Sequence, residues 1–134
     1  MTCTVATPAH PNVARLRASF DAFASGDIAT LRTFFAPSFV WHVTSPNRFA
    51  GDRRGWSEFQ DYLGLLRRET GGTMQIEPFE FFANNAYGVA LLRISRSRSG
   101  SSVSNFAAQV VRFDDGLVVE GWFLDENPYE LDEL

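Results

Sequence analysis

Few side chains in this sequence combine acid–base chemistry with a place in a predicted regular element. Asp125 is the foremost. It closes the β-branched and aromatic run LVVEGWFLD, where strand pairing should stop. A carboxylate beside an aromatic wall is expected to have its pKa raised, because desolvation disfavours the charged form. That suits it to take up a proton as a general base. The competing reading makes Asp125-Glu126-Asn127-Pro128 a solvated turn and helix cap. His42, in FVWHVT, is the one histidine inside a predicted element, since His10 falls in a loose N-terminal arm. It is expected to act as a general acid, to orient Asp125 or to polarise an oxygen, or else to be a satisfied or interface histidine. No second histidine or cysteine stands with it, so neither a metal site nor a cofactor is expected.

Strand alternation sorts the remaining candidates. Gly121, Phe123 and Asp125 share one face of their run, and Glu120, Trp122 and Leu124 the other. Asn105, Ala107, Gln109, Val111 and Phe113 share a face of the preceding run, and Trp41 and Val43 oppose His42. A buried amide left without a partner costs roughly 1–3 kcal/mol, so on a face turned inward Asn105 and Gln109 would call for a ligand oxygen or a trapped water. Trp41, Trp56, Tyr62 and Phe123 either line a pocket and stack on a flat ligand or pack an ordinary core. Arg93, Arg96 and Arg98 read as a solvated or dimer-facing strip.

The elements that must hold these residues follow from periodicity and punctuation. Residues 1–11 form a flexible arm, and residues 12–134 a single domain. Asn12 is placed to cap a helix carrying Val13, Leu16, Phe20 and Phe23 on one face, ended by Gly26. Asp27 caps a shorter helix with Ile28, Leu31, Phe34 and Phe35, stopped by Pro37. A strand over Phe39–Thr44 follows, then an irregular stretch from Arg48 to Gly55. Ser57 and Gln60 suit a capping box for a third helix with Trp56, Phe59, Tyr62, Leu63 and Leu66 as its apolar stripe. Four strands come after it, turning at Asn84-Asn85, at Ser99-Gly100-Ser101 and at Asp114-Asp115-Gly116, where Asp-Gly is a strong hairpin signal. Helices followed by strands imply an α+β fold with helices on one face of an antiparallel sheet.

Composition narrows the classes. At 134 residues and 45% apolar the chain can bury one real core. A net charge of −4, with arginines scattered or balanced, argues against nucleic acid as a partner. No apolar run approaches the ~20 residues that span a bilayer, and the first residues lack a signal-peptide pattern. The Leu131–Leu134 tail is read as a chance likeness to a retention signal. With lone Cys3, the expected location is the cytoplasm.

The layout resembles the NTF2-like superfamily, and most closely its SnoaL-like, polyketide cyclase-like proteins. The likeness rests on ASGDIATLRTFFAPSFVWHV, on AGDRRG before the third helix and on VVRFDDGLVVEGWFLDENPYELDEL. It implies a cone, with a curved antiparallel sheet wrapped around a pocket and three N-terminal helices closing it. It further implies an inward Trp41, Val43, Asn105, Gln109, Phe123 and Asp125, and homodimers formed through the outer face of the sheet. Asp125 matches the acid/base aspartate of SnoaL-type cyclases. The positions matching the ketosteroid isomerase residues are Ser19, Val43 and Gln109, which argues against that mechanism. The implied function is a cofactor-free cyclase, isomerase or hydrolase acting on a hydrophobic carbonyl compound. The alternative is a non-catalytic binding or interaction module.

Overall fold

The computed structural model describes residues 9–44, 48–98 and 100–126. Most of the predicted arm, with Cys3, the Pro46-Asn47 turn, Asn127-Pro128 and the Leu131–Leu134 tail lie outside the described residues, as does the side chain of Arg98.

Helix α1 (Pro11–Ala24) buries Leu16 and Phe20, two of the four residues whose spacing predicts it. Its cap is His10 instead of Asn12: His10 Nδ1 accepts the Asn12 N–H at 3.0 Å, and Pro11 takes the first turn, where its missing N–H costs nothing. Asn12 is buried one position further on and donates from Nδ2 to the Asn84 carbonyl at 3.0 Å. His10 Nε2 donates to Asn85 Oδ1 at 2.8 Å, so the start of α1 is tied to the Asn84-Asn85 turn.

Helix α2 (Ile28–Arg32) is capped by Asp27, which accepts the Thr30 N–H at 3.2 Å. Pro37 does not stop it. Strand β1 (Phe35–Val43) has already begun and contains the proline, between Phe35 and Val40 where its pairing slips register. A residue without an N–H is tolerated where a ladder is interrupted. The stretch expected to be irregular holds a short strand, β2 (Gly51–Arg54), pairing from Val40↔Arg54 to Val43↔Gly51. Helix α3 (Gly55–Glu69) follows at once and buries Phe59, Tyr62 and Leu66. Its predicted capping box is replaced by Glu58, whose Oε1 accepts the Arg54 N–H at 2.9 Å.

Strands β3 (Gln75–Ala83), β4 (Tyr87–Arg98), β5 (Ser101–Asp114) and β6 (Leu117–Asp125) form the expected meander. At the β5–β6 turn Asp115 and Gly116 have φ of 52° and 80°, the left-handed pair of a type I′ hairpin. The curved, unclosed sheet has the order β2-β1-β6-β5-β4-β3, antiparallel except for the parallel pair β1 and β6. Helix α1 packs on β3 and β4, and α3 on β1 and β2, so the core lies between the helices and the concave face. This is the expected α+β arrangement. Among the described residues no helix is long and apolar enough to cross a membrane.

Candidate functional site

Register decides which side chains meet inside the curve. Trp41 stands beside Gly121, Val43 and Gln109 both stand beside Phe123, and Asp125 stands opposite Ala107. The glycine at 121 is there for room: a Cβ would come within 2.4 Å of Trp41 Cε3 and Cζ3. The indole therefore lies across β6, and its ring centroid is 5.1 Å from that of Phe59 on α3.

These residues border a cavity of about 80 Å3 that opens to solvent. Its apolar walls come from α1 (Phe20, Phe23), from α3 (Phe59, Leu63, Leu66) and from the strands (Phe35, Trp41, Ile76, Leu92, Ile94, Phe123). The polar side chains in the lining are Ser19, Tyr62, Arg96, Gln109 and Asp125. Asp125, Gln109, Trp41, Tyr62 and Phe123 thus border one space.

Asp125 is half-buried, and its Oδ1 accepts a hydrogen bond from Asn105 Nδ2. The next residue secures the strand end. The Glu126 N–H donates to the Phe106 carbonyl at 2.9 Å, and Glu126 Oε2 accepts the Phe106 N–H at 2.8 Å. Glu126 thereby ties β6 to β5, while Asp125 is left on the cavity side. Asn105 is buried; it supports the carboxylate from behind and is not itself part of the wall. The Tyr62 hydroxyl has its pKa pushed up, chiefly by burial. Arg53, whose guanidinium lies 4.6 Å over the ring, pulls it down, and the charge of Asp125 adds to the rise. Tyr62 is accordingly a proton-bearing donor at any working pH.

Two of the sequence candidates lie elsewhere. His42 sits on the convex face, because strand alternation turns it away from Trp41 and Val43. Its Nδ1 lies 2.6 Å from Asp52 Oδ1, its Nε2 lies 2.7 Å from Glu120 Oε2, and its ring stacks on Trp122 at 5.5 Å. It neither orients Asp125 nor reaches an oxygen in the cavity. Carboxylates only accept, so both ring nitrogens donate and the ring is an imidazolium. Desolvation, the largest single influence on it, opposes the charge, but the bonds and charges of the two carboxylates together raise its pKa. Asp52 and Glu120 are held below the usual carboxylate range, first of all by their bonds to His42. Trp56 also lies outside the cavity that Asp125 borders. It packs on Phe35 and Phe59 at 5.9 and 5.8 Å and borders a separate cleft with Arg32 and Phe39.

The residue that sequence reasoning missed is Arg96. The predicted strip of arginines divides: Arg93 is exposed on the convex face over Phe106, whereas Arg96 is 2% exposed and lines the cavity. Positions three apart in a strand face opposite ways, and Arg96 shares its parity with the buried Ala90, Leu92 and Ile94. Among the described residues no group of three or more histidine, cysteine or acidic side chains is placed to hold a metal ion.

The shape and the sequence both have counterparts. A model of the SnoaL-like domain matches residues 16–121. An uncharacterized protein of Mycobacterium tuberculosis is 30% identical over 104 residues, covering 77% of this chain and 79% of that one. Bal32a, from a soil-derived mobile gene cassette, superposes with a TM-score of 0.82 at 28% identity over 91% of this chain and 94% of its own. IdmH, a candidate polyketide cyclase from Streptomyces antibioticus, superposes with a TM-score of 0.72 at 16% identity over 93% of this chain and 100% of its own. The chain belongs to the SnoaL-like family, with the NTF2-like, cystatin-like architecture.

Proposed function

We propose that this protein is a cofactor-independent acid–base enzyme acting on a hydrophobic carbonyl compound, with Asp125 as the group that moves the proton. One observation carries the reading: a carboxylate supported by Asn105 faces a cavity whose walls are otherwise mostly apolar. Asp125 takes a proton from carbon beside a ligand carbonyl, and the C–H electron pair passes to the carbonyl oxygen. Gln109 and Tyr62, which line the same space, donate to that oxygen. Ring closure and isomerisation can each proceed from such a step, whereas in a hydrolysis Asp125 would take its proton from the attacking water; family membership is the reason for placing cyclase chemistry first. A second copy of the chain is the partner we propose for the convex face, where Phe79, Phe106 and Leu124 are 56%, 47% and 44% exposed.

The test is exchange of α-hydrogens for deuterium, followed by proton NMR, with 2-acetonaphthone as the probe. Wild type should accelerate exchange, and Asp125→Asn should remove about 10²- to 10⁴-fold of that acceleration. Equal rates for the two proteins, with the ketone bound to both, would remove Asp125 from the chemistry. Among the described lining residues Asp125 is the one carboxylate and no histidine joins it, which favours a second reading, a binding module. That reading predicts saturable ketone binding without accelerated exchange.

A further inference from the structure

Strand β1 leaves the sheet for part of its length. Its pairing with β6 lapses between Phe35 and Val40, and its pairing with β2 begins only at Val40. Residues 36–39 therefore carry no register partner on either side. Pro37, which has no N–H to offer a ladder, stands within this departure. Beside it lies a cleft of about 230 Å3, roomier than the cavity that Asp125 borders. Phe35, Pro37 and Phe39 border it from β1, Trp56 and Ser57 from the first turn of α3, and Arg32 from the end of α2. Of these six, Phe35 alone also lines the cavity.

The walls of the cleft are aromatic. The ring centroids of Phe35 and Phe39 lie 4.6 Å apart, and that of Trp56 lies 5.9 Å from the first and 6.5 Å from the second. Phe39 is wholly enclosed, whereas Phe35 and Trp56 are half-buried and keep ring surface to cover. Such walls hold a further flat ring in offset or edge-on contact. Charge decides what that ring carries. Arg32 is the one charged side chain among the described residues on the border, and it is exposed. It makes no hydrogen bond or ion pair with any described residue. No carboxylate of the described residues borders the cleft, so the charge of the guanidinium is unbalanced there. A cationic ligand would be repelled by it. An anionic one would meet a planar fork of donors matched to a carboxylate.

We infer that this cleft is a second ligand site, for a small aromatic carboxylate whose ring rests on Phe35 and Trp56 and whose acid group pairs with Arg32. The inference stands apart from the chemistry proposed for Asp125, since it needs neither the cavity nor a reaction.

Titration of isotope-labelled protein with 2-naphthoate and with 2-naphthamide, followed by NMR of the indole N–H signals, tests it. Trp56 reports the cleft and Trp41 the cavity, and Trp56→Phe and Trp41→Phe identify the two signals. 2-Naphthoate should shift the Trp56 signal saturably. It should bind about three- to thirty-fold more tightly than the amide, a range running from an exposed ion pair to a hydrogen bond with a charged group. Arg32→Gln should erase that preference and leave amide binding unchanged, and Arg32→Lys should keep part of it as a point charge without the fork. Arg32 is exposed at the end of a short helix, so both variants should fold as wild type does. Equal binding of acid and amide by wild type, or a preference that survives Arg32→Gln, would overturn the inference. So would a saturable shift of Trp41 with Trp56 unmoved, or binding of neither compound.

Discussion

Gly121→Ala puts a methyl group where the structure has an indole. The added carbon would stand 2.4 Å from two Trp41 ring atoms, more than 1 Å inside ordinary contact. Trp41 cannot swing aside freely, because Phe59 packs on it at 5.1 Å between ring centroids and Phe35 at 6.5 Å. The backbone at 121 is in a conformation any residue adopts, so the penalty is steric alone. Overpacking of this kind costs about 1–3 kcal/mol. For a chain of this length each kcal/mol lowers the melting temperature by roughly 3–5 °C, which gives a fall of about 3–15 °C. Thermal melts of a four-member cycle, with Gly121→Ala and Trp41→Phe alone and combined, separate the clash from any general effect. Phenylalanine lacks the benzo edge that the methyl strikes, so Gly121→Ala should cost much less in the Trp41→Phe background. An equal cost in both backgrounds would refute the account of why glycine stands there.

His42→Gln probes the convex cluster through pH. The folded pKa of His42 is raised, so its contribution is whole below the ordinary value of 6.5 and is lost as pH climbs through the raised one. The pKa values of Asp52 and Glu120 are lowered, so theirs holds above the ordinary 3.8 and 4.5 and fades as pH falls through the lowered values. The gap in melting temperature between wild type and His42→Gln should be widest from roughly pH 4.5 to just above 6.5 and should narrow at alkaline pH. A gap constant from pH 5 to 9 would show that the imidazolium bridge contributes nothing. Asn105→Ala leaves a carboxylate oxygen of Asp125 short of one donor and should cost about 1–3 kcal/mol in chemical denaturation. A loss within a few tenths of a kcal/mol would mean that the bond carries no weight. Phe106→Glu puts a charge at the centre of the convex apolar patch. In size-exclusion chromatography with light scattering it should convert an assembly of twice the 15.0 kDa chain mass into single chains. Wild type eluting as single chains would end the proposal of pairing through that face.

What the sequence makes legible here is local. The Asp115-Gly116 turn is declared by residue types that accept positive φ, and the cap at Asp27 and the stripe Phe59, Tyr62, Leu66 by spacing. Strand parity correctly groups Trp41 with Val43, Phe123 with Asp125, and Asn105 with Gln109. The same rule turns His42 outward and Arg96 inward. It is the charge on Arg96 that suggests solvent, and tertiary enclosure overrides that suggestion. The strand GDRR carries no apolar alternation, since its place comes from backbone pairing with β1, so no residue pattern marks it. Pro37 illustrates a signal with two meanings: it can end a helix or sit at a break in a strand ladder, and only the neighbouring strand decides.

The parallel contact between β1 and β6 sets an order for assembly at the ribosome. Val43 lies beside Phe123, so a segment synthesised early must wait for about eighty more residues before the neighbour that completes its pairing exists. Until then the emerging polypeptide holds β1 with only the short β2 alongside, and the aromatic lining around Trp41 stands open to water. Until residues 117–125 arrive the nascent chain keeps this surface uncovered and is prone to misassociation.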